Sequence, residues 1–272
     1  MVHKKKLVKK TKKLLKKKKT KFKSNIQKTK ALRKMKIKDV KFSSFLNKGS
    51  DASSNIIDYN YQHQSNILDF LHKLHKQGAI NDVCFFSKPT DATLEIDILK
   101  KKVFPMYVTH KNFVKKLRRC QKHRFIPLSV RALLPIKKKE IESHANVIII
   151  DSALRKIEIF EPHGYKSKYS NTYESVSKYH NKIDLLVSYF NKILPEYRLI
   201  NVVNYIKDRG FQSKYDARSG YCVTWSTLYA HYRIINPTVK VSKLLSYLKK
   251  KINVNLLLRY ARFIEDKLKN KI

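Results

Sequence analysis

A cysteine follows Gly-Tyr in the stretch SGYCVTWSTLYAH, residues 219–231, directly before a segment with helical character. Gly220 can supply the unusual backbone angles that a sharp entry into a helix requires. Cys222 would then lie in the first helical turn, where the helix dipole and the N–H groups favour a thiolate and can hold an oxyanion. The alternative is a core thiol on an amphipathic helix, with Trp225 and Leu228 on the buried face. The cysteine alone does not decide between these two readings.

His144 and Glu161 flank a predicted β-hairpin made of the stretches ANVIIIDS and RKIEIFEPHG. A symmetric hairpin centred between Ser152 and Ala153 places residue 144 opposite residue 161, with both side chains on one face. A carboxylate there can accept the Nδ1–H of the imidazole, fix its tautomer and stabilise the imidazolium. The pair therefore predicts a general base and its orienting acid; the alternative is a cross-strand His–Glu pair on a solvated face.

Gln212 precedes the cysteine by ten residues, in the loop RGFQSKYDARSGYC. A side-chain amide just upstream of a nucleophile can donate to a developing oxyanion. The alternative is an ordinary loop glutamine, which is the more common case.

His163 and Asp151 are the rivals for the roles assigned to His144 and Glu161. His163 directly follows the second strand of the hairpin, and we expect it to shape the turn that leaves this strand. Asp151 lies seven residues along the first strand from His144, which places it too far away to orient the imidazole.

The elements that must hold these residues follow from the hydrophobic pattern. From residue 125 the chain predicts strands, then a long helix at 173–194, one more strand, the helix of Cys222 and two closing helices. Strands followed mainly by helices predict an α+β fold in which helices pack on a mainly antiparallel sheet.

Net charge restricts the partners. Lysine and arginine number 61 against 20 acids, which gives +41, and residues 1–48 account for about half of this with 21 basic residues and one acid, Asp39. Such charge implies a polyanionic partner, most often nucleic acid and less often an anionic membrane surface. An arm that binds phosphates would lose affinity as salt rises. The alternatives for this arm are a solvated tail and a nuclear-import signal.

Composition divides the chain into three parts. Residues 1–50 are predicted to be a disordered Lys-rich arm, because like charges at this density repel one another. Residues 51–124 are predicted to be a helical or mixed region, and residues 125–272 carry the candidate site. No apolar run approaches the roughly 18 residues that a membrane span requires, and the N-terminus lacks the apolar segment of a signal peptide.

Three widely spaced cysteines form no C-x-x-C pair, which argues against a zinc site. Cys84 lies among apolar neighbours and is predicted to be a core thiol. Cys120 lies in a basic helix, and we interpret it as structural. An odd number of cysteines is typical of a reducing compartment rather than of a disulfide framework.

The order His, Glu, Gln, Cys resembles the adenovirus-maturation-protease and SUMO-protease superfamily of cysteine peptidases, the ubiquitin-like proteases. In that family a histidine begins a strand, an Asp, Glu or Asn follows at about the 17-residue spacing seen here, and a cysteine opens a helix. The stretches HANVIIIDSALRKIEIFEPHG and GYCVTWSTLYAHYRIINP are similar to the branch found in large DNA viruses. The likeness covers residues 125–240. The chain departs from the family at Ala145, where many members have Trp, and in the long gap between Gln212 and the cysteine.

This resemblance implies a papain-like cysteine peptidase core in residues 125–272. It assigns Cys222 as nucleophile, His144 as general base and acid, Glu161 as the residue that orients His144, and Gln212 as an oxyanion-hole donor. It implies no metal and no cofactor, with stimulation by DNA left open.

The resemblance also implies cleavage after Gly, at Gly-Gly-X or Gly-X sites of viral structural polyproteins during virion maturation. The expected location is the virion and the host cytoplasm at assembly sites, and the basic N-terminus adds the nucleus. One alternative is a protease that removes SUMO or another ubiquitin-like protein from its targets. A second alternative is a non-enzymatic basic protein that binds nucleic acid.

Overall fold

Six strands form one mixed sheet in the part of the chain that the structure describes. The structure is a computed structural model, and it describes residues 36–40, 63–137, 140–163, 173–205, 210–211 and 221–269. The strands are β1 (Thr93–Asp97), β2 (Lys102–Pro105), β3 (Phe125–Lys137), β4 (Glu140–Asp151), β5 (Lys156–Phe160) and β6 (Arg198–Asn201). Their order across the sheet is β2-β1-β3-β4-β5-β6. Three of the five neighbouring pairs are antiparallel, so the sheet is mainly antiparallel, as predicted.

Six α-helices accompany this sheet within the described ranges. They are α1 (Ser65–Lys76), α2 (His110–Cys120), α3 (Tyr173–Ile193), α4 (Cys222–Ile235), α5 (Val241–Lys251) and α6 (Val254–Lys269). Helices packed on a mainly antiparallel sheet confirm the predicted α+β class. Helix α4, which begins at Cys222, packs on strand β4, which carries His144.

One face of the sheet packs against helices α2 and α3. Strand β4 contributes Ile148 and Ile150 to this layer, and β5 contributes Ile157 and Ile159; all four are at most 1% exposed. Because side chains alternate along a strand, the run of three isoleucines in β4 buries both faces of the sheet.

The opposite face of the sheet is covered by helix α4. Phe160 at the end of β5 stacks on Tyr229 of α4 with ring centroids 4.3 Å apart. Trp225, one turn closer to Cys222, is 2% exposed, but residues 223–234 are all buried, so the helix is not amphipathic as the core-thiol alternative required. Helix α4 is itself covered by α1 and α6. At the contact with α6, Nδ1 of His231 and the Tyr260 hydroxyl share a hydrogen bond of 3.0 Å.

The two cysteines that we interpreted as structural thiols form a disulfide, so the prediction that Cys84 is an unpaired core thiol is wrong. Cys84 and Cys120 are joined across 36 residues, with Cα atoms 5.4 Å apart. Their sequence positions gave no sign of the pairing, because it depends on an isolated bridge between Val83 and Phe125 that brings the two segments together. The odd number of cysteines therefore does not indicate a reducing compartment.

Residues 39–272 form one compact unit. The boundary that we predicted between residues 124 and 125 lies within its sheet, because β1 and β2 precede it and the other four strands follow. Of the predicted arm, only residues 36–40 are described. Asp39 in this segment accepts hydrogen bonds from the hydroxyls of Tyr232 and Tyr247 and pairs with Lys251. Within the described ranges, no helix combines the length and apolarity needed to cross a membrane.

Candidate active site

The site lies where strand β4 continues past the end of strand β5. Pairing between these strands starts at Val147 and Phe160, the last residue of β5. On its other side β4 remains paired with β3, where His144 is opposite Ala132. The edge of β4 at residues 144–146 is therefore accessible to groups from other elements.

Glu161 follows β5 directly and is almost completely buried, with 1% of its surface exposed. Its Oε1 lies 2.6 Å from Nε2 of His144, which is itself 6% exposed. Nδ2 of Asn146 donates to the other oxygen, Oε2, at 2.8 Å. The structure thus brings His144 and Glu161 together, as their spacing predicted.

The geometry of this pair differs from the prediction in two respects. The hairpin is centred between Ala153 and Leu154, so that the register runs Val147 to Phe160 and Asp151 to Lys156. Continued outward, this register places residue 161 opposite residue 146, and His144 reaches the carboxylate diagonally. A register shift of two residues keeps every side chain on the same face of the sheet. His144 and Glu161 therefore still meet, although the predicted register was wrong. The cause is the turn: a 3-10 segment, Ser152–Leu154, is closed by Arg155 with a φ of 49°, and the centre of the hairpin lies one residue later than predicted.

The ring nitrogen that binds the carboxylate is also different. We expected Glu161 to accept from Nδ1 of His144, but it binds Nε2. Nδ1 is consequently the nitrogen left to face the cysteine.

Cys222 is the first residue of helix α4 and is half-buried. Its sulfur forms a hydrogen bond with the imidazole of His144, and the backbone N–H of Ala145 donates to the same sulfur. One turn later, the hydroxyl of Ser226 donates to the carbonyl of Ala145 at 3.4 Å. Both backbone polar groups of Ala145 therefore hold the start of α4 against the edge of β4.

The charges at the site favour a thiolate–imidazolium pair. Burial alone would lower the pKa of the His144 imidazole, but the Glu161 carboxylate and the Cys222 sulfur outweigh it and raise this pKa from 6.5 to about 9. Burial alone would raise the pKa of the Cys222 thiol, but the hydrogen bond and charge of His144 and the Ala145 N–H lower it below its ordinary value. Each group thus stabilises the ionised form of the other.

Glu161 remains ionised although it is buried. Burial would raise its pKa, but the positive charges of His144 and Lys182 hold it well below the usual range. A buried carboxylate with these partners can stabilise the imidazolium throughout the neutral pH range.

Lys182 and Asn146 belong to the site, and the sequence analysis missed both. Lys182 of helix α3 is 3% exposed; its Nζ pairs with Glu161 and donates to Oδ1 of Asn146 at 3.2 Å. Asn146 follows His144 by two residues and so shares its face of β4, a signal that could have identified it. Lys182 gave no such signal, because it is one of many lysines on predicted helices.

His163 contacts the site more closely than the turn role that we predicted would require. Its ring centroid lies 4.5 Å from that of His144, and its backbone N–H donates to Oε1 of Glu161 at 3.1 Å. Burial, and then the charge of His144, lower the pKa of His163 to about 3. The second imidazole is therefore neutral at physiological pH, when the first is charged.

The rival acid does not lie at the site. Asp151, the rival acid, lies at the far end of β4 and binds Arg233 and Arg124, each at 3.4 Å. Gln212 and Gly220 lie outside the described residues, so the predicted oxyanion role of Gln212 stays a prediction. In the described part of the chain, no three His, Cys, Asp or Glu side chains cluster as metal ligands would.

Comparison with protein-family models and with curated proteins yields no match. Among solved structures, the effector protein ChlaDUB1 of Chlamydia trachomatis resembles the chain with a TM-score of 0.40 and 14% identity, over 75% of this chain and 83% of that one. The Legionella pneumophila effector RavZ, solved in complex with human LC3B, resembles it with a TM-score of 0.37 and 14% identity, over 69% of this chain and 48% of RavZ. The chain thus spans about half the length of RavZ. Likenesses at this level assign neither a family nor an activity.

Proposed function

We propose that the protein is a cysteine endopeptidase with Cys222 as nucleophile, His144 as general base and acid, and Glu161 as the residue that orients His144. One observation carries the proposal: the sulfur at the start of helix α4 is hydrogen-bonded to an imidazole whose other nitrogen lies 2.6 Å from a buried carboxylate. A nucleophile, a base and an orienting acid connected in this order form the arrangement that cysteine acyl transfer requires.

The reaction would begin with attack of the Cys222 thiolate on a peptide carbonyl. The backbone N–H of Cys222 and the amide of Gln212 are the proposed donors to the tetrahedral oxyanion. His144 then transfers its proton to the leaving amine, and a thioester joins the acyl group to the sulfur. Water that gives a proton to His144 attacks the thioester, the C–S bond breaks, and the acid is released while the Cys222 thiolate and the His144 imidazolium are restored.

We further propose that the substrates are viral structural polyproteins cut at Gly-Gly-X or Gly-X sites during virion maturation. Support for this finer assignment is the sequence resemblance around FEPHG and GYC. A narrow channel that admits only residues without side chains would explain a requirement for glycine. We propose that the basic arm, residues 1–48, holds the enzyme on packaged nucleic acid near its substrates.

The test uses the full-length chain and a panel of precursor fragments that contain Gly-Gly-X, each paired with an Ala-Ala-X control. Cleavage by the wild type, its loss in Cys222→Ala and His144→Gln, and no cleavage of the controls would support the assignment. Cleavage of a folded ubiquitin-like fusion but of no short Gly-Gly site would move the assignment to a deconjugating protease. No cleavage, together with a Cys222 that an electrophilic Gly-terminal probe does not label at neutral pH, would leave a basic nucleic-acid-binding protein.

A further inference from the structure

Among the described residues, four donors from three separate segments of the chain hold Glu161. Oε1 receives Nε2 of His144 at 2.6 Å and the backbone N–H of His163 at 3.1 Å. Oε2 receives Nδ2 of Asn146 at 2.8 Å and the ammonium group of Lys182. Of these four donors, Lys182 comes from outside the β4–β5 ribbon, because it belongs to helix α3 on the adjoining layer.

We propose that Lys182 is a positioning residue of the proposed peptidase: its ammonium group fixes the Glu161 carboxylate and balances its charge, and thereby sets the pH range in which the Cys222–His144 ion pair exists. This inference rests on the proposed function, since it concerns the same site.

The contacts of Lys182 are arranged as a closed triangle. Its Nζ pairs with Glu161 and donates to Oδ1 of Asn146 at 3.2 Å, while Nδ2 of Asn146 donates to the same carboxylate oxygen. Each corner of the triangle therefore fixes the orientation of the other two. With Oε2 held in this way, Oε1 can point only toward His144, which keeps the imidazole aligned with the sulfur.

Charge balance gives Lys182 a second effect. In the reactive state the described residues of the site contribute two cations, Lys182 and His144, and two anions, Glu161 and Cys222. A buried group of charges is least costly when the total is zero. Without the ammonium group, the same state would carry one excess negative charge, which disfavours the thiolate and favours retention of the proton on His144.

In the ranges that the structure describes, the titratable groups that face Glu161 come from one strand, two helices and the segment after β5. Strand β4 contributes His144, the segment after β5 contributes His163, helix α3 contributes Lys182 and helix α4 contributes Cys222. His163 stays neutral at physiological pH, because burial lowers its pKa to about 3. Of the described groups, Lys182 is therefore the cation that acts on the carboxylate beside His144.

The test measures the rate at which iodoacetamide alkylates Cys222 in the full-length chain between pH 5 and 10. Mass spectrometry of the Cys222 peptide supplies the rate, and Cys222→Ala supplies the background. The variants are Lys182→Met, which removes the charge, Lys182→Arg, which keeps it, and the control Lys192→Met, which removes an exposed lysine from the same helix.

We expect the wild type to react at a plateau rate across neutral pH. The profile has two limbs: the rise at low pH as Cys222 ionises, and the change at high pH as His144 loses its proton. Both limbs should move to higher pH by about one unit in Lys182→Met, because a neighbouring positive charge that favours loss of either proton is gone. Lys182→Arg should retain the wild-type range, and Lys192→Met should superimpose on the wild type. A purely structural lysine would change the melting temperature without moving either limb.

A folded Lys182→Met variant whose profile superimposes on the wild type would overturn the inference and leave the proposed function intact. If Lys182→Met does not fold, Lys182→Gln is measured in its place, and failure of both neutral variants to fold would reduce Lys182 to a structural role and overturn the inference. A wild-type profile with a single rise at the pKa of an ordinary thiol would instead contradict the ion pair, and with it the proposed function.

Discussion

Nε2 of His144 lies 2.6 Å from Oε1 of Glu161, and both side chains are removed from solvent. A hydrogen bond between charged partners is stronger in such surroundings than in water, because little solvent screens it. The carboxylate therefore controls both the orientation and the basicity of the imidazole. Substitution of Glu161 should therefore change both the reactivity of the site and the free energy of unfolding.

Glu161→Gln should lower cleavage about 10- to 100-fold, because the amide keeps the shape but not the charge that stabilises the imidazolium. The pKa of His144 should fall, and the alkylation rate of Cys222 at neutral pH should fall with it. The variant should also lose about 3 kcal/mol of stability, since Lys182 is left buried without its counter-charge. Unfolding in urea and the alkylation profile measure these effects. Glu196→Gln, an exposed acid just after helix α3, is the matched control; an equal effect there would contradict the role of Glu161.

The ion pair makes a separate prediction about stability and pH. The pKa of His144 is raised from 6.5 to about 9, so its contribution to stability is complete below pH 6.5 and is lost as pH rises toward 9. The pKa of Cys222 is lowered, so its contribution is present above the ordinary thiol pKa and is lost as pH falls through the folded-state pKa. Between these limits the folded and unfolded pair both hold one proton, and the two dependences cancel.

Cys222→Ala removes the thiol, whose pH dependence cancels that of His144 in the wild type. The stability of the variant relative to wild type should therefore decrease by about 1–2 kcal/mol from pH 6.5 upward to the pKa of His144 in the variant. Urea unfolding at half-unit steps from pH 6 to 9 measures the difference. Parallel curves for the two proteins would show that thiol and imidazole titrate independently.

The sequence was sufficient to predict the elements that carry chemistry. Alternation and apolar runs located β4 and β5, and a two-residue periodicity placed residues 144 and 161 on one face whichever even register the hairpin adopts. The position of Cys222 in the first turn of a helix followed from Gly220 two residues before it and from the helical character of the residues after it. These features are local, so local sequence contains them.

Features that depend on packing between distant segments could not be predicted. Lys182 reaches Glu161 only because helix α3 packs on the face of the sheet that it shares with helix α2. Nothing near Lys182 in the sequence distinguishes it from other helical lysines. The disulfide between Cys84 and Cys120 depends in the same way on a bridge to the start of β3. Register at the hairpin depended on the left-handed Arg155, a conformation that non-glycine residues adopt rarely.

Helix α4 is fixed at the end opposite the cysteine by a buried ionic network. Arg233 is 2% exposed, and its Nε and Nη2 donate to the two carboxylate oxygens of Glu158 at 2.8 and 3.0 Å. Arg233→Met should lower the free energy of unfolding by about 3–5 kcal/mol, because Glu158 and Asp151 would remain buried with part of their counter-charge removed. Chemical unfolding measures the loss.

Two further variants isolate the charge effect at Arg233. Lys249→Met, at an exposed position of helix α5, should change stability by less than about 0.5 kcal/mol. The double variant Arg233→Met with Glu158→Gln should recover part of the loss, since one of the uncompensated charges is gone. A double variant as unstable as the sum of the two single variants would attribute the loss to packing instead.

The basic arm should set how steeply nucleic-acid binding depends on salt. Residues 1–35 contain 17 lysines and arginines and no acid, and their removal leaves Asp39 with its partners Tyr232, Tyr247 and Lys251. Each phosphate contact contributes about −0.9 to the slope of log K against log salt on duplex DNA. Deletion of residues 1–35 should therefore make this slope shallower by several units and lower the affinity for a DNA duplex of unrelated sequence. Fluorescence anisotropy between 50 and 300 mM NaCl gives both values, and alkylation of Cys222 should be unchanged in the truncated chain. An unaltered slope would show that the basic body, which carries +21 in residues 49–272, binds DNA without the arm.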